Sequence, residues 1–386
     1  MQRWLAVGRS SDVDSHAAGQ VAARQAVRPD TRLLVVFCSA RHDPYAVLAG
    51  IRDVSGAVPL IGCSSSSVIS PSGPLTGSGV VVLALGGPGF AVATGVGTGA
   101  STRQRTAGAT AAGCAALVEP RASQVLLVLS DGLAQRQEQI LSGVYSVVGA
   151  SAPLVGGTSS PEPGGRHTFA FHDDKVHTDA VVAAFVASDG PLGVGVRHGW
   201  RKVGEPMIVT DSSGGEVYTL DDQPALPAYL RQLGAPDEAY RSPQAFEDFA
   251  RTRPIGIRRR SGEEVRNVSS GALFGDGHLQ SSGDVPEGGL VWLMEGDTNS
   301  VLDAAGDACT DAVAKLGGRP ALGLLAFDCE SRAMLCGQEG MRHEVTRMTE
   351  AAGGVPVAGL YTWGEISRLR GINGFHNQTL VVLAVG

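Results

Sequence analysis

Three stretches of the chain share one layout: PLIGCSSSS at residues 59–67, PLVGGTSSP at residues 153–161 and PVAGLYTWG at residues 356–364. In each stretch a short apolar run follows a proline, reaches a glycine and gives way to a loop. Similarity that recurs at long intervals indicates a structural unit that is used several times, and it bears on the fold before any single motif does. We therefore predict three copies of one unit.

The sequence around each stretch extends this repeat. One apolar strand precedes each stretch and another follows it, and these strands begin at Leu33, Val125 and Leu322 and at Val81, Val181 and Val381. Between the two leading strands of each copy, apolar residues recur three and four positions apart, which predicts a helix. These residues are Leu48 and Ile51, then Ile140, Val144 and Val147, then Met341, Val345 and Met348. The predicted unit is helix, strand, helix, strand, loop, strand.

Two of the predicted helices have further signals. Asp43, followed by Pro44, is a plausible N-cap for the helix of the first copy. The helix that opens the third copy has a face of small residues, which predicts close helix packing. This face consists of Ala305, Ala308, Cys309, Ala312 and Leu316.

The unit combines parallel crossovers with antiparallel hairpins, so we predict an α/β (mixed α+β) protein with mixed sheets covered by helices. Partner strands are expected after the first two copies, around residues 90–96 and 192–197. The 386 residues suit two domains. We place the first at residues 1–200, with two copies, and the second at residues 201–386, where a strand-rich segment precedes the third copy.

Composition argues against several classes of function. The net charge of −7 disfavours nucleic-acid binding, and the apolar runs are too short to cross a membrane. Six cysteines without CxxC pairs are typical of reduced thiols. The amino terminus lacks the features of a signal peptide. We therefore expect a cytoplasmic protein.

The three loops are the candidate binding sites, because ligands of α/β sheets usually bind at the carboxyl ends of strands. The candidate residues are Cys63 and Ser64 in the first loop, Gly157, Thr158 and Ser159 in the second, and Tyr361, Thr362, Trp363 and Glu365 in the third. Alternatively, the glycines close the strands and the hydroxyl groups cap the next turns. The third loop differs from the others by its aromatic pair and its carboxylate. The aromatic rings could stack on a ligand while the carboxylate accepts a hydrogen bond from the ligand's amino group. Alternatively, the aromatics could belong to the core and the acid could lie at the surface.

A family resemblance rests on these loops and on two longer segments. The run GLYTWGEISRLRGINGFHNQTLVVLAV at residues 359–385 resembles the closing signature of the C-terminal domain of FIST proteins. The segment FDCESRAMLCG at residues 327–337, followed by Glu344, is similar to another part of that domain, and GCSSSS and VGGTSS resemble motifs of the N-terminal domain.

The resemblance implies an intracellular sensory module that binds small ligands, with amino acids as the proposed class. Because no output segment is recognisable in the sequence, we expect the signal to pass to a separate protein partner. The first loop departs from the family pattern: Ser67, Val68 and Ile69 stand where a Gly-Glu-Ile-like continuation is typical. This departure argues against ligand contacts from the first loop.

The family segments add four candidate residues. Cys329 and Arg332 could form a thiol beside a cation, which favours thiolate, or Arg332 could bind a carboxylate. A buried cysteine beside a surface arginine is the alternative. His376 and Asn377 could present polar groups to the same pocket, or His376 could be satisfied by local backbone bonds.

Three other motifs receive structural interpretations. The stretch FHDDKVH at residues 171–177 offers metal ligands but has the pattern of a hairpin turn. The arginines at residues 258–260 are expected at a solvated edge. The GVGTG stretch lacks the acidic residue that completes a dinucleotide fingerprint. We assign no metal, no cofactor and no catalytic residue.

Small-ligand binding is therefore the leading hypothesis. The alternative is an enzyme that acts on a small metabolite, with Cys63 or Cys329 as nucleophile and His376 as base. The alanine-rich helices could also support a homodimer.

Overall fold

Each of the three copies builds the centre of one sheet. The computed structural model describes residues 2–150, 152–259, 262–269, 276–368 and 374–386. The first copy contains β1 (Trp4–Ser10), α1 (Ser15–Ala26), β2 (Thr31–Ser39), α2 (Pro44–Ser55), β3 (Leu60–Ser65), β4 (Ser67–Ser70), β5 (Gly73–Thr76) and β6 (Val80–Gly86). The second contains β7 (Phe90–Thr98), α3 (Gln104–Ala112), a 3-10 turn (Gly113–Leu117), β8 (Ser123–Ser130), α4 (Gln137–Val148), β9 (Leu154–Thr158), β10 (Ala170–His172), β11 (Lys175–His177) and β12 (Ala180–Ser188).

The third copy is interrupted by a unit of different architecture. It begins with β13 (Leu192–Arg197). The inserted unit follows, with β14 (Arg201–Ser213), β15 (Glu216–Leu220), β16 (Gln223–Pro224), α5 (Ala225–Gln232), a 3-10 turn (Asp237–Tyr240), α6 (Pro243–Ala250), β17 (Ile255–Arg259), β18 (Gly262–Arg266), β19 (Val268–Ser269), β20 (Leu279–Ser281) and β21 (Leu290–Glu295). The copy resumes with α7 (Thr298–Ala314), β22 (Gly323–Cys329), α8 (Glu330–Ala351), β23 (Val357–Thr362), β24 (Glu365–Arg368), β25 (Phe375–His376) and β26 (Leu380–Val385).

The three sheets have equivalent strand orders. They run β1-β6-β2-β3-β10-β11, β7-β12-β8-β9-β24-β25 and β13-β26-β22-β23-β4-β5. Each sheet has one parallel pair at its centre: β2 with β3, β8 with β9, and β22 with β23. The neighbouring strands pair with these in the antiparallel direction. The predicted mixed α/β fold is therefore confirmed.

The hairpin after each loop leaves its own copy. Strands β10 and β11 of the second copy extend the first sheet, β24 and β25 of the third extend the second, and β4 and β5 of the first extend the third. The sequence does not show this exchange. The partner strands expected after the first two copies are also reassigned, because β7 pairs with β12 and β13 pairs with β26. Each of these strands opens the sheet of the following copy.

One hydrophobic core joins the inner faces of all three sheets. Its members include Phe37 of the first copy, Leu127 of the second and Phe327 of the third. The rings of Phe37 and Phe327 meet edge to face, with centroids 6.1 Å apart. The two helices of each copy cover the outer faces. The inserted unit has a separate core, and the boundary near residue 200 stays a prediction.

Glycines let the first helix of each copy lie close to the opening strand. A Cβ atom at Gly8, Gly95 or Gly195 would lie 2.4 Å or less from a helix carbonyl oxygen, that of Ala22, Ala111 and Ala308 respectively. The repeated contact shows that the strand and helix meet in the same way in all three copies.

The structure agrees with some of the local expectations and differs from others. Asp43 accepts a hydrogen bond from the backbone of Tyr45 and caps α2, with Pro44 in the first turn. The FHDDKVH stretch forms the β10–β11 hairpin. The alanine face of α7 is buried within the chain, so it is not free to support a dimer. Val147 is exposed and Val148 is buried instead. Among the described residues, no helix is both long enough and apolar enough to span a membrane.

Candidate functional site

The loops of the three copies meet at the ends of β3, β9 and β23. The Ser65 and Ser160 hydroxyls both donate to the carbonyl of Tyr361, at 2.8 and 3.1 Å. The Ser64 hydroxyl donates to the carbonyl of Ser160 at 3.4 Å, and the backbone N–H of Thr158 donates to Gly364 at 2.9 Å. These contacts bring together loops that are far apart in the sequence.

A cavity of about 1130 Å³ lies beside this junction. Its walls come from the second copy, the third copy and the inserted unit, and they include residues 132–138, 213–216, 280–284, 329–331 and 362–363. This volume exceeds that of many small-molecule sites, which typically measure about 300 to 1,000 Å³. Four of the predicted residues line the cavity: Thr158, Cys329, Thr362 and Trp363.

Thr158 has an unused polar group at the cavity. The residue is buried, and its hydroxyl oxygen has no hydrogen-bond partner among the described residues. A buried hydroxyl without a partner is costly, and a ligand or a water molecule in the cavity would satisfy it.

Glu330 is the main residue that sequence reasoning missed. It follows Cys329 at the start of α8, and one carboxyl oxygen, Oε2, has no hydrogen-bond partner within the part of the chain that the structure describes. Burial raises the pKa of Glu330, although hydrogen bonding from Trp363 and Ser66 opposes that rise. The signal was present in the FDCESR segment, where the glutamate directly follows the strand end.

Arg332 has a structural role and does not line the cavity. It is fully buried, with Nε 2.8 Å from Asp328 Oδ1 and Nη2 2.7 Å from Glu344 Oε1. It also donates to the carbonyls of His198 and Val301. Its guanidinium group is therefore occupied by these partners. Arg332 is neither the surface arginine nor the ligand-binding arginine that the sequence suggested.

The two candidate cysteines are neutral thiols in this environment. Burial raises the pKa of both Cys63 and Cys329 well above the usual value. For Cys329 the neighbouring Glu365 raises the pKa further. The expected thiolate beside Arg332 is thus not favoured, because desolvation outweighs any attraction to a guanidinium already paired with two carboxyl groups.

Glu365 and Tyr361 are buried, and neither of them lines the larger cavity. Glu365 accepts hydrogen bonds from the Thr362 hydroxyl at 2.6 Å and from the backbone of Thr379 at 3.1 Å. Burial raises the pKa of Glu365 well above its usual value. Tyr361 is also fully buried, and it is one of the residues that line a second, smaller cavity. Neither aromatic stacking by Tyr361 nor a surface position for Glu365 matches this arrangement.

Asn377 and His376 connect the third loop to its surroundings. Asn377 donates to the carbonyl of Trp363 at 3.1 Å and accepts from the Ser282 hydroxyl at 2.8 Å, so it positions one wall of the cavity. A ring nitrogen of His376 lies 3.1 Å from the Ser367 carbonyl oxygen. Burial lowers the pKa of His376. This contact with the Ser367 carbonyl is the local backbone hydrogen bond that was one of the two alternatives for His376.

The remaining candidates do not line the larger cavity, and they pack against the loops or hydrogen-bond to them. Ser159 accepts a hydrogen bond from Gly132, which lines the cavity. Gly157 lies against the Thr362 side chain, where a Cβ atom would be too close at 2.5 Å. Cys63 belongs to the shared core, and Ser64 joins the first and second loops. The first loop contributes no residue to the larger cavity.

A buried arginine joins the inserted unit to both copies. Arg266 has no exposed surface, and it donates to the Phe375 carbonyl at 2.7 Å and lies 3.3 Å from Glu138. Asn267 donates to the Ser331 hydroxyl at 3.1 Å. These contacts hold the inserted unit over the cavity. Among the other arginine candidates, Arg259 pairs with Glu264 at 2.8 Å, and Arg260 lies outside the described residues.

The fold and the cavity define a mixed α/β repeat protein with a ligand-sized site between its parts. Comparison with known families is specific: the FIST N domain matches residues 32–223, and the FIST C domain matches residues 225–368. The chain therefore belongs to the FIST family, as the sequence resemblance predicted. FIST domains are in general sensory domains that bind small ligands in signal transduction.

Individual relatives add little about function. The chain is 32% identical over 242 residues to the uncharacterized protein Rv0628c of Mycobacterium tuberculosis, covering 58% of this chain and 59% of the relative. It is 31% identical over 243 residues to the uncharacterized protein Mb0898c of Mycobacterium bovis, covering 58% of each chain. The match thus spans less than two thirds of the length of these curated relatives.

Two solved structures give weak matches. A cyanuric acid hydrolase from A. caulinodans is 14% identical, with 48% of this chain and 71% of that chain covered and a TM-score of 0.26. T. maritima PurL complexed with ADP is 11% identical, with 99% and 71% covered and a TM-score of 0.23. At these TM-scores neither likeness carries an argument about fold or function.

Proposed function

We propose that this protein is a cytoplasmic sensor that binds a small metabolite in the larger cavity. The single observation that carries the proposal is the cavity itself, at the junction of two copies and the inserted unit, lined by Thr158 and Glu330, whose buried oxygen atoms have no partner in the described part of the chain. All six cysteines are free, which supports a reducing compartment.

The charges around the cavity favour a ligand with a cationic group. Four carboxylate residues, Glu138, Glu216, Asp284 and Glu330, line it together with one guanidinium, that of Arg136. An amino acid fits this pattern, because its ammonium group would meet carboxylates while its carboxylate would meet the arginine.

The rim of the cavity also favours binding. Leu133, Met334 and Trp363 are large apolar residues with 41%, 67% and 42% of their surfaces exposed, and all three line this cavity. Exposed apolar side chains that gather around a cleft are typical of binding sites. We propose that a bound ligand covers part of this rim.

A ligand in this position would bridge separate parts of the chain. It would touch residues 280–284 of the inserted unit and residues 329–331 of the third copy. Because binding stabilises whichever arrangement makes these contacts, it would bias the inserted unit toward one position. We propose that a separate signalling partner recognises this arrangement.

A thermal-shift screen of amino acids and other metabolites tests the proposal. A ligand at about 100 times its Kd should stabilise the protein by roughly 2.7 kcal/mol. Thr158→Val and Glu330→Gln should reduce that effect, since each removes a polar group from the cavity. The matched controls are Thr102→Val and Glu238→Gln, at exposed positions away from the cavity. If no metabolite stabilises the protein, or if the control variants lose binding equally, the proposal is wrong.

A further inference from the structure

A second cavity, of about 340 Å³, adjoins the first. The two share Pro163, Glu330 and Met334 in their walls. Glu330 therefore lies where the cavities meet, and its buried Oε2 atom has no hydrogen-bond partner among the described residues. The smaller cavity also contains residues of the first loop, Ser66 and Ser67, so the junction involves all three copies.

The smaller cavity differs in character from the larger one. Ala333, Met334 and Met341 give it an apolar wall along α8. Its two charged residues besides Glu330 are Arg41 and Glu162, which pair with each other at 2.7 Å. Because this pair is neutral as a whole, the smaller cavity favours an uncharged group.

Tyr361 is one of the polar residues that line the smaller cavity, together with Ser66, Ser67, Thr76 and Gln338. The residue has no exposed surface, and its hydroxyl has no hydrogen-bond partner among the described residues. A buried phenol in this state is a donor that lacks an acceptor. A ligand that fills the cavity and carries an acceptor atom would satisfy it.

We infer that the ligand is an amine with an apolar body, whose ammonium group binds Glu330 at the junction and whose body fills the smaller cavity up to the Tyr361 hydroxyl. This inference rests on the proposed function and specifies the class of ligand: its ammonium group lies at Glu330, in the wall that both cavities share, its apolar body enters the smaller cavity, and any further polar groups stay in the larger one. A carboxylate in place of the ammonium group would be repelled by Glu330. An ether or carbonyl oxygen at the far end of the body would accept from Tyr361.

Isothermal titration calorimetry with three synthetic probes tests the inference on the full chain. The probes are n-heptylamine, 5-methoxypentylamine, which has the same number of heavy atoms and an ether oxygen, and heptanoate. We expect both amines to bind and heptanoate not to bind. Glu330→Gln should weaken amine binding about tenfold or more, because it removes a charge-assisted hydrogen bond. Glu238→Gln should leave it unchanged.

Tyr361→Phe provides the second test, and it removes only the hydroxyl. The ether probe should bind the unmodified protein more tightly than n-heptylamine does, and this preference should disappear in the variant. Equal binding of heptanoate, or amine binding that is unaffected by Glu330→Gln, would overturn the inference. If the amines fail while a metabolite from the screen binds and depends on Thr158, this inference is wrong and the proposed function stands. If both fail, both are wrong.

Discussion

Arg332 lies between two buried carboxyl groups, Asp328 and Glu344, and all three side chains are inaccessible to solvent. One guanidinium cannot neutralise two carboxylates in this environment. Burial and the charge of Asp328 raise the pKa of Glu344 well above its usual value, while Arg332 opposes the shift. The raised pKa thus favours the protonated form of Glu344, which can donate to Asp328 while it accepts from Arg332.

Glu344→Gln should therefore be tolerated far better than Glu344→Ala. The amide of glutamine can donate to Asp328 and accept from Arg332, as the protonated acid does. Alanine leaves polar groups of both partners unpaired, and we expect it to lower the free energy of unfolding by about 3 kcal/mol. Urea unfolding of the two variants near neutral pH measures this difference, and equal destabilisation would contradict the assignment.

The same comparison has a defined pH dependence. A folded pKa above the unfolded one means that Glu344 contributes stability that is fully present below its unfolded pKa and is lost as pH rises through its folded pKa. Glutamine does not titrate, so the glutamine variant should gain stability relative to the unmodified protein as pH rises. A constant difference between pH 4 and pH 9 would show that Glu344 is ionised in the fold.

At the scale of elements, the contact between each opening strand and the following helix depends on glycine. Gly195 of β13 faces the carbonyl oxygen of Ala308 on α7, and Gly8 and Gly95 occupy the equivalent positions in β1 and β7. A side chain there would force the strand and the helix apart. The identical solution in three places indicates that it is a requirement of the unit.

Gly195→Ala should lower the free energy of unfolding by about 1 to 3 kcal/mol, the usual range for overpacking. Gly306 offers a matched control on α7, since a Cβ atom there meets nothing within 4 Å. Gly306→Ala should raise stability by about 0.5 to 1 kcal/mol, because alanine loses less backbone freedom in a helix. Guanidinium unfolding compares the two, and a harmless Gly195→Ala would contradict the packing argument.

Single elements were predictable because their signals are local. The apolar runs from Leu33, Val125 and Leu322 became β2, β8 and β22, and the alanine face of α7 is buried as its spacing indicated. The exchange of hairpins was not predictable. The apolar pattern of a segment indicates that it forms a strand, but it does not indicate which strand is its partner. Nothing in SVIS at β4 identifies β23 as its partner.

The candidate site was predictable to a similar extent. Thr158 and Trp363 line the cavity because strand ends in an α/β sheet meet at one edge. The role of Arg332 was misjudged, since its partner Glu344 lies on a later turn of α8 and the burial of both depends on tertiary packing. Glu330 went unnoticed because only the meeting of two cavities makes it distinctive.

For the whole molecule, the exchanged hairpins make the three sheets interdependent. Each sheet takes its central strands from one copy and its final hairpin from another, and one core lies between all three. Removing any copy would therefore leave a sheet incomplete elsewhere. We expect the three sheets to unfold together.

Fragments divided at residue 200 test this interdependence. Residues 1–200 lack β23 and β24, so the β4–β5 hairpin would lose the strand that it extends and β9 would lose one neighbour. We expect this fragment alone to show no cooperative thermal transition by circular dichroism, and we expect a single transition for the full chain. A cooperatively folded fragment would instead establish an autonomous domain at residues 1–200.

The pairing of β4 with β23 also has a consequence in time. Ile69 lies opposite Gly359, so β4 is made long before the strand with which it pairs. At a synthesis rate of about 5 to 20 residues per second, the hairpin waits roughly 15 to 60 s for that partner. During this interval its strand edge is unpaired, which makes the nascent chain most vulnerable to aggregation before its final strands leave the ribosome.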